Sequence, residues 1–573
     1  MVSIRPTYVL SAFIFLLSAC GNDSAIDAPQ AAAPTTIEPT ALDYDAIEAT
    51  FRERVATLSA DDMEGRSPAS PGEERAVAYL VETYKEAGLT SPPGLDYVQE
   101  VPLVGVTPSE ASALSIRAAT GSLEFEFGRD AMFWSKRLVE QNAIADSPLV
   151  YVGYGIVAPE YQWNDYEGLD VQGKTVVVLV NDPGFATRDD DLFNGYAMTY
   201  YGRWTYKYEE AARQGAAGAI IVHESEAAGY PWQVVAGSWN GEQFDLVAAD
   251  RNMGRANIEG WISRGAAQQL FELAGMRYED MRDKAAQRDF SPVALDLTAS
   301  ASVRSDIAES KSLNVIGYIP GSRYPDEYIV YSAHWDHLGM RPATELNLAN
   351  PDETDRIFNG AKDNASGVAM MLGIADVFGA QSTPPERSIV FLAVTAEESG
   401  LLGSAWYGES PVFPLEKTAA NLNLDSPTLL GPTSDITVIG FGSSELETIL
   451  ARHAAAQGRA LVQEPTPEKG FFYRSDHFNF SKRGVPALYA KGGIEHREQG
   501  AQFGAAWEAD YIANRYHKVA DEYDENWDIR GVIEDLELYY RVGAELAFSR
   551  DWPAWNDGNE FKAIREASAA ARR

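Results

Sequence analysis

The stretch Ser388-Ile-Val-Phe-Leu-Ala-Val-Thr-Ala-Glu-Glu-Ser-Gly-Leu-Leu-Gly-Ser404 joins an apolar run to a pair of acids. Residues 388–394 are almost continuously apolar, which is typical of a strand that is buried on both faces. Two similar runs, Tyr328–Ala333 and Asn421–Leu424, alternate with apolar helical patterns such as Val368–Phe378. This alternation predicts an α/β fold in which a mainly parallel mixed sheet is flanked by helices.

Side chains that bind metals follow the ends of these predicted strands. His334 comes directly after the first run, Glu397 and Glu398 lie shortly beyond the second, and Asp425 follows the third. Because ligands collect at the carboxyl ends of parallel strands, we expect these side chains to share one edge of the sheet. Two adjacent acids repel each other unless a cation compensates. This edge is therefore a candidate metal site.

Two further candidates lie in loops. Asp363 lies in the turn Gly360–Gly367, where an Asp serves either as a helix N-cap or as a carboxylate that spans two cations. His517 precedes Asp521 by four residues, and we expect Asp521 to accept a hydrogen bond from its imidazole.

The residues after His334 are expected to orient it. Asp336 is two residues away at a strand end, so both side chains can project to the same face, and its carboxylate can accept the second ring N–H of His334. His337 is expected to point elsewhere. A surface turn is the alternative interpretation of this histidine-rich segment.

Together these residues meet the ligand requirement of a two-metal hydrolase. Such a site needs one bridging carboxylate, two terminal ligands for each ion, and a further carboxylate that deprotonates water. The six residues that can supply them are His334, Asp363, Glu397, Glu398, Asp425 and His517. The chain contains no His-Glu-x-x-His, no Gly-x-Ser-x-Gly and no Gly-rich phosphate loop.

The order of five motifs resembles that of the co-catalytic di-zinc aminopeptidases, whose relatives include bacterial leucyl aminopeptidase, aminopeptidase S and glutamate carboxypeptidase. The motifs are His-x-Asp at 334–336, Asp-Asn-x-Ser-Gly at 363–367, Glu-Glu-x-Gly-Leu-x-Gly-Ser at 397–404, Asn-x-Asp at 423–425 and Tyr-His-x-x-x-Asp at 516–521. The resemblance implies a zinc exopeptidase fold with two Zn²⁺ per chain.

The resemblance also implies a role for each residue. His334 and Asp425 would ligate one zinc, Glu398 and His517 would ligate the other, and Asp363 would bridge them. Glu397 would be the general base, and a cis peptide bond would follow Asp363.

An aminopeptidase acting on peptide substrates is the expected function. A carboxypeptidase or a glutaminyl-cyclase-like member would use the same fold with another pocket, and a non-catalytic receptor-like member would lose ligands. A carboxypeptidase needs cations for the substrate carboxylate. The nearby basic residues are expected to be mostly surface charges; they are Arg474, Lys482, Arg483, Lys491 and Arg497.

Tyr473 is a candidate donor to the oxyanion of the reaction. It lies among Phe471, Phe472, Phe478 and Phe480. An aromatic residue in such company is more often pocket wall or core.

Composition limits the partners and the domains. The net charge of -37 argues against nucleic acid as a partner. Tyr166–Lys174 and Tyr206–Val222 resemble parts of the β-rich protease-associated domain found in secreted peptidases. We therefore predict this domain as an insert at 148–301, between an N-terminal catalytic part at 43–147 and the zinc peptidase domain at 302–573.

The N-terminus predicts a lipid anchor. Cys20 is the only cysteine, and Leu17-Ser-Ala-Cys-Gly21 resembles a bacterial lipobox after an apolar run. This pattern predicts a lipoprotein signal peptide at 1–20 and a flexible tether at 21–42. The protein would then be held at the bacterial cell envelope, in the outer membrane or periplasm, and touch the membrane through its lipid alone. The alternative is an ordinary signal peptide and a secreted protein.

Overall fold

The computed structural model describes residues 42–238, 241–341 and 354–572. Cys20, the predicted signal peptide and nearly all of the predicted tether lie outside the described residues. Within the described ranges, none of the helices combines the length and the apolar character needed to span a membrane.

The described chain begins with two capped helices. Helix α1 (Tyr44–Leu58) starts where the Asp43 carboxylate accepts the N–H of Ala46, and α2 (Pro71–Glu86) starts where the Ser70 hydroxyl accepts the N–H of Glu73. Their apolar faces pack into the core that also holds the central sheet.

A β-rich unit follows these helices. Its strands are β1 (Val98–Ala111), β2 (Leu114–Ala118), β3 (Gly121–Phe125), β4 (Ala131–Trp134), β5 (Gln141–Tyr151), β6 (Val157–Ala158), β7 (Trp163–Asn164), β8 (Thr175–Leu179), β9 (Gly218–Val222), β10 (Gln243–Leu246) and β11 (Ile258–Ile262). Its helices are α3 (Pro183–Thr187), α4 (Trp204–Arg213), α5 (Ser225–Ala228), α6 (Trp232–Ser238), α7 (Arg264–Leu273) and α8 (Tyr278–Ala285). Strands β5, β8, β9 and β11 run parallel in that order, and β4 closes the edge antiparallel to β11.

Strand β12 (Val293–Ile319) connects this unit to the rest of the fold. Its N-terminal part pairs with β2 and β5, whereas its C-terminal part pairs with β1 and β16 (Arg387–Val394). Because this one strand of 27 residues pairs with strands of both parts of the fold, the strands that it joins belong to a single continuous sheet.

The remaining chain forms most of the central sheet, a separate two-stranded sheet and the surrounding helices. The further strands are β13 (Tyr324–His334), β14 (Gly339–Met340), β15 (Ile357–Phe358), β17 (Thr418–Asn423), β18 (Asp435–Val438), β19 (Ala460–Gln463) and β20 (Ala487–Gly492). The helices are α9 (Ser366–Gly379), α10 (Leu402–Glu409), α11 (Leu446–Ala456), α12 (His477–Ser481), α13 (Gly500–Asn514), α14 (Arg530–Ala547) and α15 (Lys562–Ala567).

Both faces of the central sheet are covered by helices. The strand order is β19-β18-β20-β17-β13-β16-β12, and β20, β17, β13 and β16 run parallel. Side chains of α9 and α14 pack on one face, while Tyr407 of α10 and Phe480 of α12 pack on the other. The predicted fold class, a mainly parallel mixed sheet flanked by helices, is confirmed.

The N-terminal boundary of the β-rich unit differs from the prediction. The sequence predicts residues 114–147 as part of the catalytic domain, but Leu114, Phe133 and Ile144 share a hydrophobic core with the unit that follows. These strands are short and pair with distant partners, so their apolar residues alone do not reveal where they pack. The protease-associated character of the insert stays a prediction.

Candidate metal centre

The centre lies at the carboxyl edge of three neighbouring parallel strands. His334 is the last residue of β13 and pairs with Val394, the last residue of β16. Glu397 and Glu398 follow β16, and Asp425 follows β17. The structure therefore brings the strand-end candidates to one edge, where parallel sheets place ligands.

Two contacts of His334 define the first half of the centre. Its Nε2 lies 3.4 Å from Oδ1 of Asp363 and 3.5 Å from Oδ1 of Asp425. His334 and Asp363 are buried, and these three side chains form one of the clusters whose geometry suits a metal ion.

The second half of the centre lies on the other oxygen of Asp363. Nε2 of His517 is 3.3 Å from Oδ2 of Asp363 and 3.1 Å from Oε2 of Glu398. The two carboxylate oxygens of Asp363 thus face two different imidazoles.

The spacing of these atoms fits zinc. Nitrogen and oxygen ligands lie about 2.0–2.1 Å from Zn²⁺ in a tetrahedral site, which separates neighbouring ligand atoms by about 3.3 Å. The separations of 3.1–3.5 Å around Asp363 have this length. Two imidazoles and three carboxylates are also ligand types that zinc accepts.

The charges of the site depend on one another. Burial lowers the pKa of His517, but the carboxylates of Glu398 and Asp363 outweigh burial and raise it to about 11. Burial raises the pKa of Glu398, but His517 and His337 together outweigh this effect and lower it to about 2. The imidazoles of the metal-free protein therefore carry protons that offset the buried carboxylates.

Glu397 is electrostatically different from Glu398. Burial above all, together with the charges of Glu398 and Asp425, raises the pKa of Glu397 well above its usual value. Adjacent carboxyls with pKa values driven apart are suited to separate roles in ligation and proton transfer.

Asp336 makes contacts other than the predicted one. Nδ1 of His334 lies 3.2 Å from the backbone carbonyl of Asp336 but 3.9 Å from its carboxylate. The carboxylate instead accepts the backbone N–H groups of Glu397, at 3.1 Å, and Glu398, at 3.4 Å. The prediction that this carboxylate holds the His334 ring is wrong, because the chain turns after His334 and the carboxylate aims at the neighbouring loop.

Asp521 also differs from its predicted role. Its carboxylate accepts the backbone N–H groups of Lys362, at 3.2 Å, and Asp363, at 3.0 Å, and it also accepts the Tyr511 hydroxyl at 3.3 Å. It therefore holds the Asp363 turn, and in the described part of the chain it has no hydrogen bond to His517. The peptide bond after Asp363 is cis.

His337 was expected to point elsewhere, and this expectation is wrong. Its Nδ1 lies 2.6 Å from Oε1 of Glu398, and the buried ring forms a metal-competent cluster with Asp363 and Glu398. The alternation of side chains along a strand does not predict the direction of His337, because β13 ends at His334.

The side chain of Tyr473 makes its contacts outside the metal centre. Its hydroxyl donates to Oε1 of Glu560 at 2.8 Å, and its ring packs in a cluster with Phe472 and Phe478. It is therefore core, not an oxyanion donor.

Tyr516 stacks on His517 with ring centroids 3.9 Å apart and is 43% exposed. Tyr516 is therefore the phenol that lies beside His517 of the centre.

Arg66 is a residue of the site that sequence reasoning missed. Its guanidinium donates to the carbonyls of Trp335 at 2.8 Å, Asn359 at 2.7 Å and Gly360 at 3.0 Å. Burial lowers its pKa to about 10. It joins the His334 segment to the Asp363 turn, and the only signal in the sequence was a charged residue within a Gly- and Pro-containing turn.

Comparison with known proteins identifies a family. Residues 314–540 match the family model described as Peptidase family M28, which confirms the family predicted from the five motifs. A segment of 154 residues is 30% identical to Aminopeptidase NAALADL1 of Mus musculus, and one of 207 residues is 28% identical to Glutamate carboxypeptidase 2 homolog of Caenorhabditis elegans. These segments cover 26% and 34% of this chain but 18% and 23% of the relatives. The chain thus spans less than a quarter of these curated relatives.

Solved structures are similar at lower identity. An aminopeptidase from Aneurinibacillus sp. strain AM-1 is 19% identical, with a TM-score of 0.46 over 87% of this chain and 93% of that chain. BSAP, a zinc aminopeptidase from Bacillus subtilis, is 18% identical, with a TM-score of 0.40 over 90% and 97%. A functional assignment must therefore rest on the family match and the side chains of the centre.

Proposed function

Because residues 314–540 match the model of Peptidase family M28, we propose that the chain is a zinc-dependent exopeptidase that removes N-terminal residues from peptides. The observation that carries this proposal is the placement of Asp363, whose two oxygens face His334 and His517. A carboxylate whose two oxygens face two separate sets of ligands is suited to bridging two ions.

The ligands divide into two sets around Asp363. His334 and Asp425 would hold one ion, and Glu398 and His517 would hold the other. Two zinc ions held there would supply Lewis acidity, which would lower the pKa of water and polarise the scissile carbonyl.

Glu397 is the proposed proton carrier. It would take the proton from the attacking water and return it to the leaving amine. Its partly buried carboxyl suits this exchange, because its backbone N–H is fixed by Asp336 and its raised pKa favours uptake of a proton.

Tyr516 is the proposed donor to the carbonyl oxygen as negative charge develops there. Its ring stacks on His517, which fixes the phenol beside the centre, and its partial exposure leaves it accessible to substrate. A fixed donor of this kind stabilises charge in the transition state.

An aminopeptidase suits the acidic character of the centre, since carboxylates accept the ammonium group of a free N-terminus. We expect hydrolysis of leucine p-nitroanilide and of a peptide with a free N-terminus. Acetylation of that N-terminus should abolish cleavage. If the acetylated peptide is cut at its C-terminal residue, the carboxypeptidase alternative replaces the aminopeptidase.

A lipid anchor on Cys20 is the proposed means of attachment to the cell envelope. The lipobox-like sequence Leu17–Gly21 supports it. Wild-type protein should partition into the detergent phase, and Cys20→Ser should not. Equal partitioning of the two would contradict the anchor.

A further inference from the structure

A buried lysine lies beside the metal centre without being one of its proposed ligands. Lys362 directly precedes Asp363, the proposed bridge, and is only 2% exposed. A buried ammonium next to a site for cations needs a reason, because burial of a charge is costly and like charges repel. The contacts of Lys362 supply this reason.

The ammonium of Lys362 contacts the loop that follows Asp425. Its Nζ donates to the carbonyl of Ser426 at 3.3 Å, and Nζ of Lys491 donates to the same oxygen at 3.5 Å. Ser426 has a φ of 46°, a left-handed conformation that is unfavourable for a serine. The loop after Asp425 therefore depends on such contacts to keep its shape.

Asn364, on the other side of Asp363, contacts the same loop. Its Oδ1 accepts the N–H of Ser426 at 3.0 Å, and its Nδ2 donates to the carbonyl of Leu424 at 3.0 Å. Both residues that flank Asp363 thus bind the loop after Asp425.

These hydrogen bonds join the neighbours of two carboxylates that face one imidazole. Nε2 of His334 lies 3.4 Å from Oδ1 of Asp363 and 3.5 Å from Oδ1 of Asp425. Because these three side chains would hold the same ion, the hydrogen bonds fix the separation of two of its ligands.

An aromatic ring holds the ammonium in place. Nζ of Lys362 lies 4.2 Å from the centroid of the Tyr511 ring, a distance at which the face of a ring attracts a cation. The Tyr511 hydroxyl donates to Asp521, and Asp521 in turn accepts the backbone N–H of Asp363. The side chain of Lys362 is therefore fixed between the Asp363 turn and the loop after Asp425.

We propose that Lys362 is a positioning residue, which ties the loop after Asp425 to the Asp363 turn and so sets the separation of two ligands of one zinc ion. This inference rests on the two-ion centre of the proposed function. A purely electrostatic role of Lys362 predicts the opposite sign, because loss of a positive charge beside the centre would strengthen zinc binding.

The test measures zinc affinity in Lys362→Met, which removes the charge and the donor but keeps an unbranched side chain. The affinity for one of the two ions should fall by about 10–100-fold, measured by competition with a chromophoric chelator. Lys362→Arg keeps a cationic donor and should recover much of this loss. Lys417→Met is the matched control, because Lys417 pairs with Asp326 at the surface, and it should leave both affinities unchanged.

A double-variant cycle tests whether Lys362 acts through Asp425. Asp425→Asn should by itself weaken one ion, and adding Lys362→Met should then cause little further loss at either site. Visible absorption of the Co²⁺-loaded protein, which reports ligand geometry, should change in Lys362→Met and return towards the wild type in Lys362→Arg. A general loss of stability would not produce this pattern.

Three results would overturn the proposal. They are zinc affinities in Lys362→Met equal to those of the wild type, tighter binding in that variant, and a full further loss in the Asp425→Asn background. If Lys362→Met does not fold, Lys362→Ser gives the same comparison with a polar side chain, and the same results would overturn the proposal.

The proposed function can fail separately. If the wild type binds two zinc ions but cuts neither peptides nor leucine p-nitroanilide, the exopeptidase assignment is wrong, and the affinities still decide the role of Lys362. If the wild type binds fewer than two ions, the two-ion centre is refuted, and this proposal with it.

Discussion

Oδ1 of Asp336 accepts the backbone N–H of Glu397 at 3.1 Å. Asp336 follows the end of β13, and it thereby fixes the acid that follows the neighbouring strand β16. The same carboxylate accepts the N–H of Glu398 through its other oxygen. Asp336 therefore sets the position of the proposed base and of one proposed ligand at once.

Asp336→Asn should reduce turnover while the protein stays folded. An amide can accept only one of the two N–H groups, so the Glu397 loop loses part of its support. Loss of a group that orients a ligand typically costs 10–100-fold. Steady-state kinetics and circular dichroism would check this, and unchanged kcat would show that the loop is held by other contacts.

His337→Gln should weaken the binding of one zinc ion. Nδ1 of His337 contacts Glu398. The variant therefore removes an imidazole that either orients the Glu398 carboxylate or binds the same ion. We expect zinc affinity at one site to fall by about 10–100-fold, measured by competition with a chromophoric chelator. His453→Gln is the control, because His453 pairs with Glu545 outside the centre. Equal affinities in both variants would contradict a role for His337.

Arg66→Met should destabilise the fold. The substitution leaves the carbonyls of Trp335, Asn359 and Gly360 buried without their donor. The free energy of unfolding should fall by about 3 kcal/mol or more, as a lower midpoint of urea unfolding. Arg323→Met provides the surface control, since its side chain is 65% exposed. A midpoint equal to that of the control would refute this structural role.

Zinc binding to the metal-free protein should release protons. Although burial lowers the pKa of His334 and His517, neighbouring carboxylates raise both, that of His517 to about 11, so both rings are protonated at neutral pH. Zinc binds neutral imidazole, so its apparent affinity should fall as the pH falls. Calorimetry in two buffers of different ionisation enthalpy measures the release. A heat of binding independent of buffer would contradict it.

Much of the fold could be predicted from sequence because its strands are buried on both faces. The run 388–394 is typical of a strand that is buried on both faces, and β16 includes all of it. The unit to which the strands around 114–134 belong could not be predicted, because they pair with strands far away along the chain. No local sequence pattern indicates which strand is the partner.

The predicted ligands could be found because strand ends meet at one edge. The contacts of Asp336, Asp521 and His337 could not be predicted from the sequence, because they depend on the conformation of irregular loops.

Zinc content and turnover of Glu397→Gln together test the central claim most directly. Because Glu397 is assigned to proton transfer and Asp363 to the bridge, this variant should keep about two zinc ions per chain while kcat falls by about 10²–10⁴-fold. Asp363→Asn, measured in parallel by elemental analysis, should lose zinc. Loss of zinc from Glu397→Gln, or full turnover in it, would contradict the account.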